Sequence, residues 1–226
     1  MVVTFMLKKV LIYQSDMVKF YKIFLLMILF ALAVAPVNAD KKNKEFIELE
    51  DSLCKPFIKN TNNAVVKIII SSNKETAVCS GVVIGGNQVI TAKHCVDKNQ
   101  ISQIVVISDN ERFIVSEYSM SKNSDLAILS FLESLPIQRV KIGLFFEDLD
   151  SQPGYMVGFG CDGTRLKKNV QYQKSYVNPG VFHIKGCVCH GDSGGALFNT
   201  NDELIGIISN TYEDGQKGLA QNIYSF

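Results

Sequence analysis

Between Ala64 and Tyr224 the chain is cut into short β-branched and apolar runs separated by turn residues, and no stretch carries the repeat of a long amphipathic helix. Six runs come first: "AVVKIII" (64–70), "VCSGVVI" (78–84), "QVIT" (88–91), "QIVVI" (103–107), "RFIVSEY" (112–118) and "LAILSF" (126–131). A linker with Pro136 and the acidic "EDLDSQPG" (147–154) intervenes. Six more follow: "YMVGF" (155–159), "VQYQKSY" (170–176), "VFHIK" (181–185), "ALF" (196–198), "ELIGIIS" (203–209) and "LAQNIY" (219–224). Many short strands expose many edges, and a sandwich or barrel is how such a chain covers them. Six and six predicts an all-β fold of two similar units. At 226 residues and 47% apolar the chain has the material for a real core.

Residues 1–63 lack this pattern. From Met17 the chain reads "MVKFYKIFLLMILFALAVAPVNAD": Lys19 and Lys22 form a basic start, Ile23 to Ala35 an apolar core, and Val37-Asn38-Ala39 ends in a small residue. That is the order of a signal peptide cut after Ala39. The apolar core is short against the roughly twenty residues of a membrane span, which favours cleavage over an uncleaved anchor. The expected organisation is upstream residues and signal peptide over 1–39, a charged, asparagine-rich lead segment over 40–63, and a folded domain over 64–226. The expected location is secreted or periplasmic, with no membrane attachment after cleavage.

Export gives the six cysteines a meaning. Cys54, Cys79, Cys95, Cys161, Cys187 and Cys189 all lie beyond the expected cut, and an even count in an exported chain points to disulfides. Structural zinc is the rival, but the Cys187-x-Cys189 spacing is tighter than the usual ligand pair. No metal and no cofactor is expected. With 23 basic and 22 acidic residues the net charge is +1, which speaks against nucleic acid or an anionic surface as partner.

Three polar residues sit where apolar runs begin or end. His94 lies in "VITAKHC" just past a predicted strand, Asp125 in "NSDLAIL" at the mouth of a buried run, and Ser193 in the glycine-rich "CHGDSGGALF". Serine acyl transfer needs a base for the hydroxyl proton, an acid to orient that base, and amides facing the developing oxyanion. The order His, Asp, Ser is one of the known convergent orders of such a triad. Taken singly, His94 reads equally as a core histidine and Ser193 as a turn serine; the three together favour chemistry. Asp97, three residues past His94 in a polar loop, and Asp109, in the turn "SDNER", are weaker acids for the role. His183 and His190 read as bystanders, although His190 falls in the serine loop.

At these residues the sequence resembles the chymotrypsin-like (trypsin-fold) serine proteases. "TAKHC" is similar to the family's T-A-A-H-C, "DLAIL" to D-I-A-L-L, "GDSGGALF" to G-D-S-G-G-P-L, "VGFG" (157–160) to its G-W-G turn, and "IISN" (207–210) to its substrate-pairing segment. The resemblance implies two six-stranded antiparallel β-barrels with the site between them. It implies a Cys79–Cys95 bridge across the histidine loop and an oxyanion hole from the amides of Gly191 and Ser193. It places Ser209 on the substrate-pairing strand, Cys187 at the base of the specificity pocket, and Thr211 and Asn222 on its walls, where a pocket without a carboxylate suits small or medium uncharged side chains.

Four departures bear on that picture. No I-V-G-G terminus is visible to pair with Asp192, so some other cation or amino group from residues 40–63 is expected there. The usual mate of Cys189 is missing from "NTYEDGQKG", which leaves Cys161 bridged to one of Cys187 and Cys189, and Cys54 to the other. The pocket base is a cysteine. The closing C-terminal helix is absent or very short. The function implied is an exported, monomeric serine endopeptidase acting on protein or peptide substrates, and the alternative is a non-catalytic homologue that binds a partner through the same groove.

Overall fold

The computed structural model describes residues 58–59 (backbone only), 63–73, 75–98, 100–144, 150–212 and 215–226. The expected upstream residues and signal peptide, residues 1–39, lie outside them. Among the described residues no helix is long and apolar enough to cross a membrane.

The first sheet is built from β2 (Val65–Ser72), β3 (Thr76–Gly85), β4 (Gln88–Thr91), β5 (Ile101–Ser108), β6 (Glu111–Ile114), β7 (Glu117–Met120) and β8 (Ala127–Ser130), in the order β6-β5-β2-β3-β4-β8-β7 with every pair antiparallel. In β2 the period of two turns Val66, Ile68 and Ile70 into one core, where they meet Val83, Val89, Val106 and Leu129. The run expected over 112–118 is one bent stretch rather than one strand. Val115 still donates its amide to Ile104 O (3.1 Å), whereas Ser116 donates to Ser130 O (2.9 Å), so the chain passes from one neighbour to the other at this point. The sheet therefore curls around, with β6 and β7 as its two edges and no ladder between them.

The second sheet closes. β9 (Gln152–Gly158), β10 (Leu166–Lys174), β11 (Val181–Lys185), β14 (Lys217–Asn222), β13 (Leu204–Thr211) and β12 (Ala196–Asn199) follow one another around a six-stranded antiparallel barrel, closed by β12 on β9. β10 begins at Leu166, four residues before the expected run, because "LKKN" carries lysines that hid its strand character. A two-residue strand, β1 (Ile58–Lys59), pairs with Leu166 and Lys167, so the lead segment lends backbone to this sheet. The chain ends in a single 3-10 turn, Ile223–Ser225. The architecture is thus the expected all-β double-barrel one, with the first barrel realised as a curled sheet.

A third apolar cluster holds the two sheets together. Val65, Val82, Ile90 and Leu126 from the first pack with Val157, Phe198, Leu204 and Ile207 from the second, most of them fully buried. Each such side chain contributes about 1.5–3 kcal/mol of transfer free energy. The seam above this cluster is where the sequence's polar candidates gather.

Candidate active site

One helical turn, α1 (Lys93–Val96), directly follows β4 and sets His94 at the seam. Asp125 precedes the fully buried Leu126, which fixes the aspartate backbone at the start of β8. The Asp125 carboxylate accepts the His94 amide on Oδ1 (2.9 Å) and faces His94 Nδ1 with Oδ2 (2.8 Å). The Ser209 hydroxyl donates to the same Oδ2 at 2.5 Å. Burial pushes the Asp125 pKa up, but the hydrogen bonds from the His94 ring, the Ser209 hydroxyl and the His94 amide outweigh it, and the carboxyl lies below its ordinary value. An ionised carboxylate only accepts, so Nδ1 carries the imidazole proton and Nε2 keeps a lone pair. Ser209 reaches Asp125 because β13 slips register against β14 between Ile208 and Asn210, which re-aims the intervening residue.

Ser193 lies in the turn before β12. Its amide neighbours are tied down on both sides: Asp192 N donates to Cys189 O (3.0 Å), Gly194 N to Ile208 O (2.7 Å) and Gly195 N to Asp192 O (2.8 Å). The amides of Gly191 and Ser193 have no acceptor among the described residues. Gly194 sits at φ +83°, and a Cβ there would lie 2.0 Å from Ser80 O, so no other residue fits. Ser80, which sequence reasoning missed, is the hub under this loop. Its hydroxyl donates to Gly191 O (2.7 Å) and accepts from Phe159 N (2.9 Å), while its amide donates to Ser193 O (2.7 Å). The readable signal was a serine at an inward position of the otherwise apolar "VCSGVVI". The Ser193 hydroxyl rests on Ser209 O at 3.4 Å.

His94, Val188, His190, Ser193, Asn210 and Thr211 share one cavity of about 240 Å³. A neighbouring hollow of about 490 Å³ shares Val188, Cys189, His190 and Thr211 with it and adds Tyr212, Gly215 and Cys161, the disulfide partner of Cys189. Thr211 lines both hollows, and its hydroxyl donates to Val188 O (3.0 Å) across the cleft. Asn222 lines neither of them. It pairs with Gly206 at the far end of β14, is buried, and accepts Tyr224 N (3.0 Å), while the residue opposite Thr211 is Gly218. The register slip in β13 and the turn after Tyr212 displaced the sequence count. Cys187 is half-buried, takes part in a disulfide and is not among the residues lining either hollow. His183 is exposed on β11, and Asp109 occupies a turn at φ +52° with Arg165 3.4 Å away. Asp97 is exposed just past α1 and makes no hydrogen bond to His94.

Cys79 is bridged to Cys95 and Cys161 to Cys189. Cys54, which the sequence leaves as mate of Cys187, lies outside the described residues. The sulfurs of Cys161 and Cys189 lie close to the Asp192 carboxylate, but each is committed to the bridge and offers no thiolate to a metal. The counter-charge of Asp192 corrects the sequence expectation. Among the described residues it comes from Lys168 on β10, where a residue of 40–63 was expected, and both side chains are completely buried. The signal was present in "LKKNVQ", where Lys168 occupies the inward phase of Leu166 and Val170.

Known proteins resemble this chain in sequence or in fold. The chymotrypsin-like elastase family member 1 of the dog (Canis lupus familiaris) is 26% identical over 148 residues, covering 63% of this chain and 50% of its own, so the chain spans about half the length of that curated relative. The active form of the Rv3671c protease from M. tuberculosis superposes with a TM-score of 0.64 at 20% identity, over 73% of this chain and 78% of that one. The serine endoprotease from Yersinia pestis gives a TM-score of 0.60 at 24% identity, over 72% and 60%. These structural likenesses establish the trypsin-like fold. The family pattern described as "Trypsin-like peptidase domain" matches residues 79–207, more than half of the sequence, and the chain belongs to that family.

Proposed function

We propose that the chain is an exported serine endopeptidase that hydrolyses peptide bonds through an acyl-enzyme on Ser193. The observation that carries this reading is the orientation of one imidazole. Asp125 accepts a hydrogen bond from Nδ1–H of His94, and the same histidine borders the cavity lined by Ser193, next to the amides of Gly191 and Ser193 that find no acceptor among the described residues. In the reaction, His94 Nε2 removes the Ser193 proton as Oγ attacks the scissile carbonyl carbon. The resulting oxyanion is received by the amides of Gly191 and Ser193, and His94 returns the proton to the leaving amine. Water, deprotonated by the same nitrogen, then cleaves the ester and restores Ser193. The hydroxyl need not lie on the imidazole before substrate arrives, since catalytic hydrogen bonds commonly tighten only in the complex.

The lining residues favour small or medium uncharged side chains before the scissile bond, because Val188, Thr211, Tyr212 and Gly215 offer no carboxylate. Two disulfides among the described residues suit an oxidising compartment, in line with the signal peptide read from the sequence.

The test is a fluorophosphonate probe on the purified mature protein. Wild type is expected to label at Ser193 and to hydrolyse peptide substrates. Ser193→Ala is expected to stay folded, to escape the label, and to lose several orders of magnitude in kcat. A folded wild type that neither labels nor cleaves would return the groove to a binding role, and full activity in Ser193→Ala would move the chemistry elsewhere.

A further inference from the structure

Lys168 is completely buried on β10, between the apolar inward positions Leu166 and Val170. A charged ammonium is costly there unless it is paired and hydrogen-bonded. Its Nζ donates to Asp192 Oδ2 and lies 3.4 Å from Cys161 Sγ. Asp192 spends its other lone pairs on the loop around it. Oδ1 accepts Gly160 N (2.9 Å), and Oδ2 also accepts Cys189 N (2.8 Å). The fit leaves no slack, since a Cβ at Gly160 would lie 2.5 Å from the Asp192 carboxyl carbon. The Cys161–Cys189 bridge ties the same two segments a second time. Asp192 stands between Gly191 and Ser193, whose amides find no acceptor among the described residues. The orientation of those amides therefore depends on where the Asp192 carboxylate is held, and a residue of the barrel wall holds it.

We propose that Lys168 is a positioning residue that assembles the oxyanion-binding loop from inside the chain, so that the site is formed without an amino terminus freed by cleavage. The proposal rests on the protease reading. Without the ammonium, Asp192 is a buried unpaired carboxylate, and its relief is to swing toward water, taking the Gly191 and Ser193 amides with it. The oxyanion exists only in the transition state, so the loss falls on kcat more than on KM.

The experiment uses the mature chain behind an uncleavable amino-terminal tag, with the intact mass confirming that no new terminus has formed. Wild type, Lys168→Met, Lys168→Arg and the strand neighbour Lys167→Met are compared in kcat and KM on a peptide ester, and in hydrogen exchange of the 188–194 amides. The tagged wild type and Lys167→Met are expected to turn over. Lys168→Met is expected to lose about 100-fold in kcat, the scale of one lost oxyanion donor, with KM changed by less than about threefold, faster exchange over 188–194, and partial rescue in Lys168→Arg. Turnover by wild type only after cleavage, or an undiminished kcat in Lys168→Met, overturns the proposal. If no form, cleaved or tagged, turns over, the protease reading fails and exchange alone decides. Faster exchange in Lys168→Met than in wild type and Lys167→Met then supports the assignment, and equal exchange overturns it. Should Lys168→Met not fold, Lys168→Met/Asp192→Asn decides: a recovered fold with depressed kcat supports it, and no recovery or a wild-type kcat overturns it.

Discussion

The Asp125 carboxylate takes three donors at once, and that crowding is the best-defined electrostatic feature of the seam. Its pKa is lowered in the folded protein, so ionised Asp125 stabilises the fold at every pH above its ordinary value of 3.8 and loses that contribution as pH falls through the lower folded value. Denaturant midpoints of wild type and Asp125→Asn are therefore expected to differ by a gap that holds from pH 7 down to about 4 and narrows only below it. A gap already closing at pH 5 would contradict the hydrogen bonding described. Much at this scale was legible in the sequence. His94, Asp125 and Ser193 each sit in a short motif whose neighbours fix their backbone, and no long-range register enters. Lys168 was not singled out, and Asn222 was set on the pocket wall, for the opposite reason. The inward position of Lys168 is readable from the phase of Leu166 and Val170, but its partner lies across the barrel. The place of Asn222 depends on a one-residue slip in β13 that no local pattern announces.

Elements show the same division. Strands whose apolar residues alternate cleanly, such as β2 and β13, fell where their sequence puts them, whereas β10 hid its first turns behind two lysines and "RFIVSEY" broke into β6 and β7. That break is intelligible afterwards. All four side chains of β7 are exposed, so burial does not hold the stretch to one neighbour. The turn α1, by contrast, has little of its own to hold it, having four residues and no side-chain cap. The Cys79–Cys95 bridge supplies the missing tie, joining α1 to the centre of β3 across a sequence separation of 16. Closing a loop of that size stabilises by roughly 3 kcal/mol in the chain-entropy picture. Cys79→Ala/Cys95→Ala is expected to lose stability on that scale, read from denaturant midpoints. It is also expected to lose peptidase activity at temperatures where it is still folded, because His94 rides on the loosened turn. A double variant of unchanged stability would show that packing of Val96 and Ala92 is sufficient by itself.

At the scale of the whole molecule, a curled sheet and a closed barrel meet over one apolar cluster, and each contributes to a cleft that neither contains: His94 and Asp125 come from the first, Ser193, Val188 and Thr211 from the second. If the chain is the protease proposed, the residues that would select substrate lie mainly on the second sheet. Thr211 on β13 bonds Val188 O across the cleft, and opposite it Gly218 leaves room that the Val188 side chain takes, with Cγ2 only 2.8 Å from where a Cβ would be. On the protease reading, this narrows the space beside Ser193 and is expected to disfavour a large ring. A cationic side chain would surrender hydration there and find no carboxylate among the described lining residues, a cost of several kcal/mol. Profiling with a diverse peptide library is expected to show small or medium uncharged residues before the cleaved bond and poor turnover of Arg and Lys. Thr211→Gly removes the tie across the cleft and is expected to raise kcat/KM for aromatic relative to small residues by about tenfold, the size of effect a modest change in pocket volume produces. An unchanged profile in Thr211→Gly would place the selecting contact elsewhere. A wild-type preference for Arg or Lys would mean that an acid from 213–214, outside the described residues, reaches the cleft.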